Sequence, residues 1–207
     1  MYDRIIVYGC GGHARSVLST LMENGLSTNI VLVDENAKAN EEILGCKVVK
    51  EIQPNNRDRM IVAIGDNRKR KELFSMLTKE TLATPMNVIS QYSLLRNDVS
   101  MGKGIFISGN SYIGPEVRIG DNSIINTASL IEHEVMIGNH SHIAPNSVVC
   151  GRTIIGDEVL IGAGSTIIDN IEICNRVVIG AGSTVIKNIM ESGIYVGNPV
   201  RMIRKFE

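Results

Sequence analysis

The chain has 207 residues, a formal net charge of −1 and 43% hydrophobic residues, which fits one large or two small globular domains. There is no basic surplus to hold a nucleic acid, and no apolar run approaches the ~20 residues needed to span a bilayer. No cationic, apolar leader precedes the first strand, so a cytoplasmic protein without membrane insertion is expected.

In chain order, Arg4–Tyr8 reads as a strand, Gly9–His13 as a glycine loop, and Ala14–Asn24 as a helix stopped by Gly25. A strand over Asn29–Asp34 follows, then an apolar strand over Arg59–Ile64 that ends in Gly65-Asp66-Asn67, then a helix over Arg68–Lys79. Alternating strands and helices predict a small Rossmann-like parallel α/β domain over residues 1–85, with ligand groups at the carboxyl ends of its strands. The loop resembles half of a GxGxxG fingerprint, with Ala14 where a third glycine would stand. Only about three strands are expected before the pattern changes. That favours a mononucleotide or nucleotide-sugar diphosphate over NAD, held at a helix N-terminus. His13 has two readings of equal weight, a helix cap or a diphosphate contact.

From Ile107 an aliphatic β-branched residue recurs at every sixth position through Ile113, Ile119, Ile125, Ile131, Ile137, Ile143 and onward to Val185. Leu95 and Met101 extend the register backwards. Glycine often follows the anchor, as at Gly102, Gly114, Gly120, Gly138, Gly156, Gly162 and Gly180, and Val, Ser or Thr often stands four residues after it. A period of six fits neither a helix nor a plain alternating strand, but it is a known solenoid signature. Three hexads make an eighteen-residue triangular coil with its anchors inside. Residues 86–207 are therefore predicted to form a left-handed parallel β-helix, from about Leu95 to about Ile189, with a C-terminal tail. Glycines are expected where the chain bends tightly and where the next coil comes close. Cys10, Cys46, Cys150 and Cys174 are too scattered for a metal or redox pair, so reduced thiols and no metal are expected.

The glycine loop joined to hexapeptide repeats resembles the family of sialic-acid O-acetyltransferases and bacillosamine-type N-acetyltransferases of UDP-linked 4-amino sugars. Its most specific stretch runs from Asn126-Thr127-Ala128 to Glu132-His133-Glu134, followed by Ser141-His142. The resemblance implies that His133 is the base and Glu134 its support, that His142 contacts the acetyl end of acetyl-CoA, and that the Gly151 N–H faces the thioester carbonyl. It places the acetyl-CoA groove along Ala163 and Ala181. It assigns acceptor contacts to Gly12, His13, Asp34, Asp66, Asn67, Arg70 and Asn126. Relatives often carry a His-Pro step before the β-helix, where this chain has Pro85-Met86-Asn87-Val88. The implied protein is a homotrimer with acetyl-CoA as co-substrate and a nucleotide-linked amino sugar as acceptor, working in bacterial surface-glycan synthesis.

The coil arithmetic stands beside this. His133 and Gly151 are one coil apart and stack on one corner, about 4.8 Å apart, whereas Ala163 and Ala181 fall on another. A groove using both sets is most easily built between neighbouring β-helices. The residue types suit direct attack on a thioester, with a histidine base and a backbone oxyanion donor. Cys150 offers a disfavoured acyl-cysteine route, and His140 reads as part of a solvated turn. Two rival functions remain open: O-acetylation of a sugar such as sialic acid, and a non-catalytic β-helix binding protein.

Overall fold

The structure is a computed structural model that describes residues 3–206. The N-terminal part is a six-stranded sheet built from β1 (Ile5–Tyr8), β2 (Ile30–Val33), β3 (Glu42–Ile43), β4 (Cys46–Val49), β5 (Arg59–Val62) and β6 (Thr84–Pro85), in the order β3-β4-β2-β1-β5-β6. All pairings are parallel except that of β3 with β4. Helices α1 (Gly12–Glu23) and α2 (Asn67–Glu80) follow β1 and β5. Six strands stand where about three were expected. The added ones are two to four residues long, and β3 and β4 form a tight hairpin through Leu44 and Gly45, both at positive φ. So short a strand carries too little periodicity to be read from sequence. Helix α2 starts where Asp66 accepts a hydrogen bond from the Lys69 N–H at 2.9 Å, an N-cap.

The rest of the chain is a left-handed parallel β-helix with three faces. Face 1 carries Val88–Ile89, Phe106–Ile107, Ile124–Ile125, His142–Ile143, Leu160–Ile161, Val177–Ile179 and Gly193–Gly197, and Val200–Lys205 closes it as an antiparallel edge. Face 2 runs from Leu94–Leu95 to Thr184–Val185, and face 3 from Ser100–Met101 to Glu172–Ile173. Every hexad anchor from Ile107 to Val185 is buried in one continuous core. The β-helix begins one strand earlier than expected, because Ile89 sits a coil before Ile107 and takes the same inward place. It also runs past Ile189. Val177 pairs with Gly193, only sixteen residues on, so the last coil is two residues short and the hexad phase is lost there.

The glycines after the anchors are close-approach positions, not bends. A Cβ on Gly114 would stand 2.8 Å from the Glu132 carbonyl carbon and the His133 nitrogen of the next coil. The bends lie two residues later, where positive φ recurs every six residues from Asp98 through Gly104, Asn110 and Glu116 to Arg176 and Gly182. Eight of these fifteen are neither glycine nor asparagine, the residues that tolerate this region best, which is why composition did not mark every corner.

Two side-chain ladders tie the coils together. Buried serines four residues after the anchors donate to carbonyls of the next coil, as Ser129 does to Ala144 (3.1 Å), Ser141 to Gly156 (2.8 Å) and Ser147 to Gly162 (2.9 Å). Each thereby satisfies a backbone acceptor that burial would otherwise strand. On the corner between faces 3 and 1, Asp121, Asn139, Asp157 and Asn175 each accept the backbone N–H of the residue eighteen earlier, at 2.7–2.9 Å. Charged and neutral rungs alternate, so no two carboxylates are adjacent. Asn139→Asp would align three of them, and the thermal midpoint should fall by roughly 3–8 °C at low salt, with the loss shrinking as salt rises. An unchanged midpoint in both salts would mean that the alternation carries no electrostatic benefit.

Candidate active site

The residues expected to form a site fall on two sides of the chain. On the corner between faces 2 and 3, the His133 Nδ1 lies 2.8 Å from the Glu134 Oε2, and both side chains are about half exposed (45% and 49%). Glu134 holds φ 59°, a left-handed corner that a non-glycine residue adopts at some cost. That geometry turns its carboxylate back onto the ring of the preceding residue. The carboxylate takes the Nδ1–H and leaves Nε2 with no hydrogen-bond partner among the described residues.

Gly151 lies directly beneath His133, one coil on. A Cβ at Gly151 would come within 2.5 Å of the His133 Cε1 and 2.6 Å of its Nε2. Only a glycine lets the ring lie flat over this backbone. Cys150, beside it, is half-buried, and burial pushes its thiol pKa up, against a thiolate nucleophile. All four cysteines are free.

The second group lies where the carboxyl edge of the sheet meets face 1. The His142 Nδ1–H donates to the Gly65 carbonyl at 3.3 Å, and its Nε2 accepts from the Asn126 amide at 3.2 Å. One tautomer satisfies both bonds. Burial and the nearby Arg70 guanidinium lower its pKa to about 4, so the ring is neutral at pH 7. His13 stands edge-on to Phe106, with centroids 4.9 Å apart, and 6.5 Å from His142. Burial first, then His142 and Arg70, lower its pKa to about 3. It does not cap α1, whose N-cap is Gly11. Its Nε2 is buried without a hydrogen-bond partner among the described residues. Gly12 is exposed in the first turn of α1, and Asp34 accepts the Asn36 N–H at 3.0 Å.

Two expectations, those for Arg70 and His140, are corrected here. Arg70 is buried, with Nε on the Asn122 carbonyl (2.9 Å), Nη1 on the Ile64 and Gly65 carbonyls (3.1 Å each), and Nη2 on the Asn67 Oδ1 (2.8 Å) and the His140 carbonyl (2.7 Å). Its five N–H groups are all taken by protein acceptors, so it joins the domain to the β-helix and has none left for a nucleotide. Asn67 is drawn into the same joint, donating to the Val159 carbonyl at 3.0 Å. His140 is not a solvated turn residue. Its ring meets Phe74 edge-on, and its Nδ1 accepts from the Asn122 amide at 2.9 Å.

Sequence reasoning missed this joint. A signal existed in the outward column of face 1, where Val88, Phe106 and Ile124 stand one coil apart and are buried with Ile5, Val7 and Leu18. An outward position that stays apolar over three coils marks a covered face. Ala163 and Ala181 occupy the corner between faces 1 and 2, both exposed.

Residues 4–77 match the PglD N-terminal domain, and residues 116–151 and 152–187 match the bacterial transferase hexapeptide (six repeats). No curated protein matches the chain. The chain thus joins a PglD-type N-terminal domain to bacterial transferase hexapeptide repeats, and it is an acyltransferase. Among solved structures it is similar to a GDP-perosamine N-acetyltransferase from Caulobacter crescentus in complex with CoA and GDP-perosamine, at 26% identity, with 96% of each chain covered and a TM-score of 0.87. In fold it is also similar to the acetyltransferase domain of PglB from Neisseria gonorrhoeae in complex with acetyl coenzyme A, at 23% identity, covering 98% of this chain and 100% of that one, with a TM-score of 0.90. Among the described residues no helix is long and apolar enough to cross a membrane.

The fit of His133 over Gly151 gives a direct test of this acyltransferase's machinery. Gly151→Ala should rotate the ring off Glu134 and lower acyl transfer by roughly 10²-fold, the usual cost of a misplacement near 1 Å. The thermal midpoint should barely move, since the corner is at the surface. Activity within twofold of the parent would show that the stacking of ring on glycine is dispensable.

Proposed function

We propose that the protein is an acetyl-CoA-dependent N-acetyltransferase of a nucleotide-linked 4-amino-deoxy sugar in bacterial surface-glycan synthesis. It works as a homotrimer whose sites lie between chains. Residues 1–85 hold the nucleotide, and residues 86–207 carry the transfer. The observation that carries this reading is the His133–Glu134 pair, oriented over Gly151 with Nε2 free to take a proton. The similarity to an N-acetyltransferase bound to CoA and GDP-perosamine supports the substrate class.

The placement of the two groups supports the assembly. The corner that holds His133 lies opposite face 1, which holds Asn126 and His142, so one chain does not bring them together. A three-fold axis parallel to the β-helix keeps every residue at its own level while turning one chain's corner toward the next. A coil of eighteen residues rises about 4.8 Å, so Asn126 and His142 lie about 2 Å to either side of the level of His133. On the same basis Ala163 and Ala181 of the next chain lie about 8 and 13 Å further along, a track for an extended thioester arm. Face 2 must then line the axis. Its outward column, Leu94, Tyr112, Leu130, Val148, Thr166 and Thr184, has no charged residue, whereas face 3 presents Arg118 and Glu172.

In the reaction the acceptor amine attacks the thioester carbonyl directly. The His133 Nε2 takes the proton the amine sheds, and the Glu134 carboxylate stabilises the imidazolium. The Gly151 N–H faces the developing oxyanion. His142, neutral and fixed by Gly65 and Asn126, borders the acetyl group without competing for the proton. Gly12, His13, Asp34 and Asp66 stand at the strand ends that face the nucleotide.

His133→Ala should lower turnover by ~10²–10⁴-fold with little change in acetyl-CoA affinity. Thiol release from acetyl-CoA, measured against UDP-, dTDP- and GDP-linked amino sugars and sialic acid, reads this out. Near-native turnover of the variant across pH 6–9 would remove His133 as the base.

The between-chain site has its own test. Chains carrying His133→Ala and chains carrying His142→Ala, refolded together, should regain about a quarter of parental activity, since each mixed trimer rebuilds one intact interface. No recovery above the separate variants would place the site within one chain.

A further inference from the structure

Two hollows flank face 2, one on each of its corners. One lies between α1 and the corner joining faces 1 and 2, with Arg15, Ser19, Glu23, Tyr92, Asn110 and Thr127 in its lining. The other lies on the corner joining faces 2 and 3, lined by Asp98, Ser100, Glu116, Arg118, Glu134 and Met136. Asp98, Glu116 and Glu134 occupy the same corner position in successive coils, an acidic column. Glu134 is committed to His133. Among the described residues neither Asp98 nor Glu116 enters an ion pair.

We propose that α1 of each protomer docks on the acidic corner of the next protomer, with Arg15 against Glu116. The inference rests on the three-fold assembly above, which turns the corner joining faces 1 and 2 toward a neighbour's corner joining faces 2 and 3. Asn110, beside Arg15, and Glu116 differ by six residues, a third of a coil, so the two hollows meet at levels about 1.6 Å apart. Arg15 is opposite in charge to Asp98 and Glu116, while the Glu23 carboxylate of its own hollow is engaged by the Ser19 and Ser90 hydroxyls. Arg15 is also arranged in advance, because its Nη1 donates to the Cys10 and Gly11 carbonyls at 3.2 Å each. That bond pins the guanidinium over the glycine loop and leaves Nε and Nη2 for an acceptor outside the chain. The occupant is a second copy of this chain. An unpaired acidic column attracts a cation, and the apposed surface supplies one at the matching level.

The consequence falls on the acceptor. Arg15 stands two residues after His13, in the first turn of α1, so docking ties the loop that faces the nucleotide to the neighbour that supplies His133. The N-terminal domain is then held by two β-helices, its own through Arg70 and the next through Arg15. Arg15 and Glu116 are positioning residues, touching neither substrate.

Arg15→Glu, Glu116→Arg and the double exchange test this with intact protein, by steady-state kinetics at low salt and by sedimentation equilibrium. Each single variant should raise the KM for the nucleotide sugar about tenfold and leave the KM for acetyl-CoA within twofold, and the exchange should restore most of the loss. Arg15→Gln and Glu116→Gln, which only neutralise, should each cost about threefold and together no more than either alone. Unchanged acceptor KM in the single variants, or additive losses in either double variant, would overturn the docking. A parent chain that sediments as an active monomer would instead sink the three-fold assembly, whereas a parent trimer indifferent to the exchange sinks only this contact.

Discussion

Parallel stacking of identical coils governs this molecule. Each coil hydrogen-bonds to the next in register, so a residue sits directly over the one eighteen places on, as Ile119, Ile137 and Ile155 do in the interior. Nothing on the surface of the β-helix can move along the axis without breaking that register. The positions of His133 over Gly151, of Asn126 over Ala144, and of the corner ladders therefore follow from residue number. A side-chain pair placed on such a frame needs little further support. Its neighbours above and below are fixed by the same ladder that holds the core together.

The frame has a limit, which explains the second domain. A β-helix offers flat faces and exposed corners but no deep pocket. Here face 1 is roofed by a small α/β sheet whose strand ends point down at it, and the seam is sealed by Phe106, Ile124 and the buried Arg70. The guanidinium is costly to bury. It is tolerated because five backbone carbonyls and the Asn67 side chain surround it; burial lowers its pKa, with Asp66 opposing the fall, only to about 10, so it remains charged at pH 7. The seam in turn fixes Gly65 against His142, and with it the tautomer of a ring that burial and Arg70 keep neutral.

How much of this was legible in the sequence follows from which forces act through side chains. The inward anchors were readable because burial selects apolar side chains at a strict period. The stacking of His133 on Gly151 was readable because their separation of eighteen residues equals one coil. The short strands β3, β4 and β6 were not, since two to four residues cannot show a period. The roles of Arg70 and His140 were not readable either, because their partners are mostly backbone carbonyls, and any sequence supplies those. The corners were misplaced for a related reason. Left-handed φ is imposed on Glu116, Glu134 and Arg152 by the fold, against their own preference, so composition gives no notice of it.

The alternation of Asp121, Asn139, Asp157 and Asn175 has a bearing on how such a protein can change length. Inserting one coil keeps every inward anchor and every catalytic spacing beyond the insertion, so packing alone permits growth by single coils. Duplicating one rung of this ladder, however, sets like beside like: two carboxylates in contact, or two amides where a charge had been. Duplicating two neighbouring coils preserves the sequence of rungs. The repeating unit for packing is one coil, but for electrostatics it is a pair, and lineages that lengthen or shorten the groove are under pressure to do so in even steps.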